Sequence, residues 1–267
     1  MWLPLVLAAS LTTAPAQAGG LKLATVRTAY GMLGPTRTDA KLLPGDSLFV
    51  LFDIEGVKSD DAGKILYSIG LEVSDAQGKV LFKQEPRNLE ALNALGGNRL
   101  PAHAHIDIGV DQPPGSYTLK VAVADRATKA SQTLTHKFEV LPRALALVRL
   151  RTTSDPEGEI PAPGVGVIGQ ALHINCGLVG FERDKAKKQP NISVEMRVLD
   201  EAGKPTLGKP FTGTVNENVT EKMVGIPLRF MLPLNRPGKY QIEVRATDQL
   251  SKKTAVLAFP YTVIETK

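Results

Sequence analysis

Apolar residues along this chain recur at every second position rather than at helical spacing. Leu172, Ile174, Cys176 and Leu178 alternate cleanly with His173, Asn175 and Gly177, and Tyr240, Ile242, Val244 and Ala246 share one parity. Tyr117, Leu119, Val121 and Val123 do the same, while Leu48, Val50, Phe52 and Ile54 alternate less completely because Phe49 and Leu51 stand between them. Successive strand side chains point to opposite faces, so this period predicts half-buried β-strands. Gly, Pro and Asp clusters punctuate the runs as turns, and about seven short strands fit each half of the chain. Helix is expected only at 87–95, "RNLEALNAL", closed by Gly96-Gly97.

The pattern occurs twice. Pro114-Gly115-Ser116-Tyr117 returns as Pro237-Gly238-Lys239-Tyr240, which brings Val121 onto Val244 and Asp125 onto Asp248. Upstream, "VSDAQGK" (73–79) meets "VLDEAGK" (198–204), "GDSLFVLFDIEG" (45–56) meets "GQALHINCGLVG" (169–180), and Val26-Arg27 meets Val148-Arg149. The offset drifts only between about 122 and 125, a spacing that suits two copies of one domain rather than a solenoid of short units. A Pro-Gly turn leading into a strand whose first inward residue is Tyr resembles the tyrosine corner of immunoglobulin and fibronectin type III domains. The chain is also similar to secreted bacterial proteins built from tandem sandwiches of this kind. The resemblance implies an all-β protein of two antiparallel β-sandwiches, 19–142 and 143–267. Where an immunoglobulin disulfide would lie, Phe52 faces Leu119 and Cys176 faces Ile242, so packing replaces the cross-link.

The first eighteen residues, "MWLPLVLAASLTTAPAQA", carry no charge, an apolar core and an Ala-Gln-Ala end. They read as a signal peptide, 1–18, and place the mature protein in the periplasm or outside the cell. No later stretch approaches the roughly 20 apolar residues of a membrane helix. Composition then narrows the chemistry. The formal charge of +5 is too small for a nucleic-acid binder. Cys176 is the single cysteine, so no intrachain disulfide, thiol pair or cysteine zinc site can form. No Gly-rich phosphate loop precedes a helix, and no cofactor is expected.

Candidate chemistry lies in three places. "GDSL" (45–48) spells an esterase nucleophile block, but Ser47 follows a turn and opens a strand, and no Asp is followed by His at the third position. In "HAHIDIGVD", His103, His105 and Asp107 share one strand face and could hold a transition metal, although the same face reads equally as solvated. In the second half, "FERDKAKKQP" (181–190) and "DQLSKKT" (248–254) emerge at one end of an immunoglobulin-like sandwich, gathering Arg183, Lys185, Lys187, Lys188, Lys252 and Lys253. Such an end could meet an anionic protein or polysaccharide of the cell envelope, or it could simply be solvated. Asp60, Asp61, Asp125 and Asp248 are read as turn residues. The short linker near Pro142 lacks a Gly or Ser run and predicts a semi-rigid rod with a hinge there. The expectation is a secreted, non-enzymatic binding or structural module. The alternatives are an accessory carbohydrate-binding module, despite few aromatics, and a metal-binding protein.

Overall fold

The computed structural model describes residues 20–265, so the expected signal peptide lies outside the described residues. Within them the regular elements are sixteen β-strands and no helix. The first half contributes β1 (Lys22–Ala29), β2 (Lys41–Leu42), β3 (Ser47–Glu55), β4 (Lys64–Asp75), β5 (Val80–Leu92), β6 (Arg99–Asp107), β7 (Gly115–Asp125) and β8 (Ser131–Val140). The second contributes β9 (Ala146–Thr153), β10 (Val165–Val167), β11 (Ala171–Val179), β12 (Ile192–Leu199), β13 (Phe211–Val215), β14 (Gly225–Pro233), β15 (Gly238–Asp248) and β16 (Thr254–Ile264).

Four sheets result, in the orders β1-β3-β6, β2-β8-β7-β4-β5, β9-β11-β14 and β10-β16-β15-β12-β13. The second pair of orders repeats the first, strand for strand. Neighbours are antiparallel except β2 with β8 and β10 with β16. Each pair of sheets closes over its own core, because the alternating strands turn one parity inward. Leu48, Val50, Phe52 and Ile54 are buried with Leu119, Val121 and Val123 in one cluster. Leu172, Ile174, Cys176 and Leu178 are buried with Ile242, Val244 and Ala246 in the other. Phe52 and Cys176 thus sit in cores, and burial pushes the Cys176 thiol up to about 12, which suppresses the reactive thiolate.

Local chemistry fixes the strand entries. The Tyr117 hydroxyl donates to the Pro113 carbonyl at 2.7 Å, and the Tyr240 hydroxyl donates to Arg236 O at 3.1 Å. Both edge sheets carry the same bulge. Pairing runs from Ala24↔Asp53 to Arg27↔Leu51 in one, and from Val148↔Gly177 to Arg151↔Asn175 in the other. Thr25 and Arg149 take up the extra residue at φ 52° and 53°. Arg27 therefore corresponds to Arg151, and the sequence match of Val26-Arg27 to Val148-Arg149 slips by two positions across the bulge.

The helix expected at 87–95 is not formed. Residues 87–92 complete β5, paired to β4 from Ile69↔Arg87 to Lys64↔Leu92, and 93–95 enter the turn that follows. Nine residues are too few to hold a helix alone, whereas the ladder to β4 satisfies the same backbone groups.

The linker near Pro142 is not a free hinge either, because the halves are bonded across it. The backbone N–H of Arg149 donates to Asp46 Oδ1 at 2.9 Å, and Arg37 Nη1 bonds Asp46 Oδ2 at 2.7 Å. Burial works against the charge on Arg37, but the Asp46 carboxylate outweighs it and holds the guanidinium above its ordinary value. Arg37 lies over the ring of Tyr30, and Tyr30 packs against the second core with its ring 6.5 Å from that of Phe259. Gly180 closes the junction at φ 71°, where a Cβ would stand 2.1 Å from the Ala144 carbonyl oxygen.

Candidate functional site

The lysine-bearing loops of the second half meet through Asp248. Its side chain is fully buried and its Oδ2 accepts the Glu182 N–H at 2.9 Å and the Ser251 hydroxyl at 2.8 Å. Its Oδ1 accepts the Leu250 N–H, and the backbone N–H of Gln249 donates to Asn191 O. Loop 181–190 is thereby tied to loop 248–254, as their placement at one end of the sandwich requires. Burial disfavours the Asp248 carboxylate, but the donors from Glu182, Ser251 and Leu250 outweigh it and hold the carboxyl below its ordinary value. Asp125 does the same in the first half, where burial is outweighed by N–H donors from Lys58, Ala127 and Thr128. Sequence reasoning placed both aspartates in their own turns and missed the bond each makes to a loop more than sixty residues away.

Lys185, Lys187, Lys188, Lys252 and Lys253 are exposed, and none joins an ion pair among the described residues. Arg183 does not belong with them. Its guanidinium donates to the carbonyls of Lys188, Val219, Thr220 and Met223 and stacks over Phe181, so its donors are spent on holding the loop 216–224 in place. Asp184 offsets part of the charge. It accepts N–H bonds from Lys187 and Ala186, which hold its carboxyl below the ordinary value. Counted over the two loops, six cationic side chains stand against three acidic ones.

His103, His105 and Asp107 do share the exposed face of β6, with Ala104 and Ile106 buried beneath. They do not converge on an ion. Among the described residues no group of three or more His, Cys, Asp or Glu side chains is placed to hold a metal. The reason is Phe49 on the neighbouring β3. Its ring stacks on His105 at 4.9 Å and lies 6.4 Å from His103, while Asp107 accepts the Ser47 hydroxyl at 2.5 Å. Burial lowers the His103 pKa, and the charge of His105 adds to it. Ser47 opens β3 as its turn predicted, and its Oγ is bonded to a carboxylate, with no imidazole bonded to it among the described residues.

Two clefts went unseen in the sequence. One, of about 640 Å³, opens between β5 and β6, and the other, of about 510 Å³, opens in the corresponding place in the second half, reaching Phe211, Leu232 and Tyr240. Each arises because the last strand of one sheet is not bonded to the last strand of the sheet facing it. No helix among the described residues is long and apolar enough to cross a membrane.

No protein-family model matches the chain. No curated protein matches it. Among solved structures, the crystal structure of red sea bream transglutaminase matches over 93% of this chain and 32% of that one, at 9% identity and a TM-score of 0.28. This chain therefore spans about a third of the matched structure's length. The expectation of a non-enzymatic protein is withdrawn, since the matched structure is named as an enzyme. At that TM-score the likeness transfers no activity to this chain.

Proposed function

We propose that the chain is an exported binding module of the cell envelope, made of two immunoglobulin-like β-sandwiches, 19–142 and 143–267. Its loop end on the second sandwich meets an anionic protein or polysaccharide. The reading of two copies is supported by the identical strand orders and by the matched tyrosine bonds. The observation that carries the site is the bond from Glu182 N–H to Asp248, which holds two lysine-bearing loops side by side. Five unpaired ammonium groups on short tethers make a field that adds up for a polyanion while remaining weak for a single small anion. In the first half the corresponding loops, 57–64 and 125–130, nearly cancel in charge, so the framework does not require the lysines.

The test is capture of envelope components by purified protein at about 0.1 M and about 1 M salt, where the screening length falls from about 10 Å to about 3 Å. A variant with Lys185, Lys187, Lys188, Lys252 and Lys253 changed to Gln runs beside it. A partner lost both at high salt and in the variant supports the basic end. A partner that survives the variant refutes it.

A further inference from the structure

The larger cleft enters the first core from the side. Its floor is Leu71 and Val73 of β4 with Ile106 of β6, and it runs inward to the stacked rings of Tyr117 and Phe138. Its mouth is apolar as well, with Phe82 48% and Leu89 37% exposed on β5. A volume of about 640 Å³ falls within the range of small-molecule sites. Most of the lining residues are apolar, with polar side chains such as Gln84, Arg87 and Gln112 among them, so an occupant that is part hydrocarbon and part polar is favoured.

A polypeptide strand is a poor occupant. A strand would have to add to the free edge of β5 or β6, and each edge carries a proline, Pro86 and Pro101. The β5 ladder is broken by register shifts at Ile69/Leu71 and Val73/Ser74, and charges line the edge. These features discourage edge pairing. An occupant without backbone groups to pair meets no such obstacle.

Charge selects among such occupants. On β5, Glu85 is paired with Lys83 at 2.8 Å, and Glu90 with Lys64 at 2.9 Å. Arg87 stands between them on the cleft lining and joins no ion pair among the described residues. Asp107 also lines the cleft, but its carboxylate is bonded to Ser47 and its charge is offset by the Arg149 guanidinium at 3.9 Å. In the second cleft the arginine is already engaged, since Arg236 Nε bonds the Tyr240 hydroxyl at 3.0 Å and its guanidinium stacks on that ring. We propose that the cleft between β5 and β6 binds one alkyl chain of an anionic amphiphile, the chain on Leu71, Val73 and Ile106 and the carboxylate or phosphate head on Arg87. This site shares no residue with the lysine loops and does not rest on their reading.

The test is calorimetric titration of the purified protein with dodecanoate below its micellar concentration, and with dodecanol as the uncharged control. Saturable binding of dodecanoate is expected, weakened about tenfold by Arg87→Gln, a loss in line with one charge-assisted contact. Dodecanol should bind the wild type about as weakly as dodecanoate binds that variant. Phe82→Glu, which puts an anion at the mouth, should weaken both ligands. Arg87 and Phe82 are exposed, so both variants should keep the wild-type unfolding transition. Co-sedimentation with phosphatidylglycerol vesicles separates the sources. Arg87-dependent co-sedimentation assigns the tail to a bilayer lipid, and its absence beside dodecanoate binding assigns a free acid. No saturation by dodecanoate, or saturation unmoved by both substitutions, overturns the site.

Discussion

Replacing Asp248 with Ala should destabilise the second half by about 3 kcal/mol. The side chain is fully buried and accepts three bonds, from Glu182 N–H, Leu250 N–H and Ser251 O–H, at 2.8 to 2.9 Å. A bond to a charged acceptor contributes about 1.5 kcal/mol or more, and water re-entering the loops returns part of the loss. For a chain of this size, 3 kcal/mol corresponds to roughly 6 to 12 °C in Tm. Asp248→Asn, which keeps one carbonyl acceptor but turns an amide toward a donor, should lose about half as much. The assay is urea unfolding followed by far-ultraviolet circular dichroism, with Asp125→Ala as the matching lesion in the first half. The sign with pH follows from the depressed carboxyl. Its contribution is complete above the ordinary carboxylate value and is lost as pH falls through the lower folded value, so the difference between wild type and variant should shrink as the solution is acidified below the ordinary carboxylate range. A loss under about 0.5 kcal/mol at neutral pH, or a difference that persists undiminished in acid, would refute the role given to Asp248.

The junction between the halves offers a second test. Asp46→Ala removes the buried carboxylate shared by Arg37 and the Arg149 N–H, while Asp39 and the Lys41 carbonyl still hold the guanidinium, so it should cost about 2 to 4 kcal/mol and open the linker to protease near Pro142; unchanged protease resistance would contradict the junction. Gly180→Ala meets the Ala144 carbonyl and a positive φ, so it should destabilise by more than about 1 kcal/mol in thermal melts, against a near-neutral Gly208→Ala, where the space is open and φ is not positive. Cys176 should stay unmodified by a thiol reagent near pH 8 in the folded protein and react on unfolding, and rapid native labelling would contradict its burial. Grafting loops 181–190 and 248–254 in place of 57–64 and 125–130 should confer salt-sensitive polyanion capture on the first half, measured on the five-lysine-to-Gln background.

What could be read in the sequence was what short spacing controls. Strand parity at Leu172–Leu178 and Tyr117–Val123 survives because alternation is a property of each strand alone. The tyrosine bonds survive because donor and acceptor are four residues apart. What failed depends on distant partners. The segment 87–95 has helical spacing, and only β4 across the sheet turns its first six residues, 87–92, into a strand. Arg183 looked like a free cation because the carbonyls it binds at 219, 220 and 223 lie more than thirty residues away. His103, His105 and Asp107 share a face as expected, yet Phe49, which separates them from a common ion, belongs to another strand. The clefts could not be read at all, since they exist where two strands fail to pair.

Comparing the halves separates framework from function. Asp125 and Asp248, Tyr117 and Tyr240, Gly56 and Gly180 at φ 72° and 71°, and the bulges at Thr25 and Arg149 stand in the same place twice. A group needed at one position by both halves is serving what both share, which is the fold. Lys252 repeats Lys129 at the matching turn, at φ 60° and 65°, whereas Lys185, Lys187, Lys188, Lys253 and the unengaged Arg87 have no basic counterpart in the other half and join no ion pair among the described residues. Arg236 shows the contrast, because it lines the matching cleft yet its guanidinium is committed to Tyr240. Charges that the framework neither repeats nor bonds within the fold are free to meet a partner, and on that ground the search for partners belongs at those two places rather than at the repeated tyrosines and aspartates.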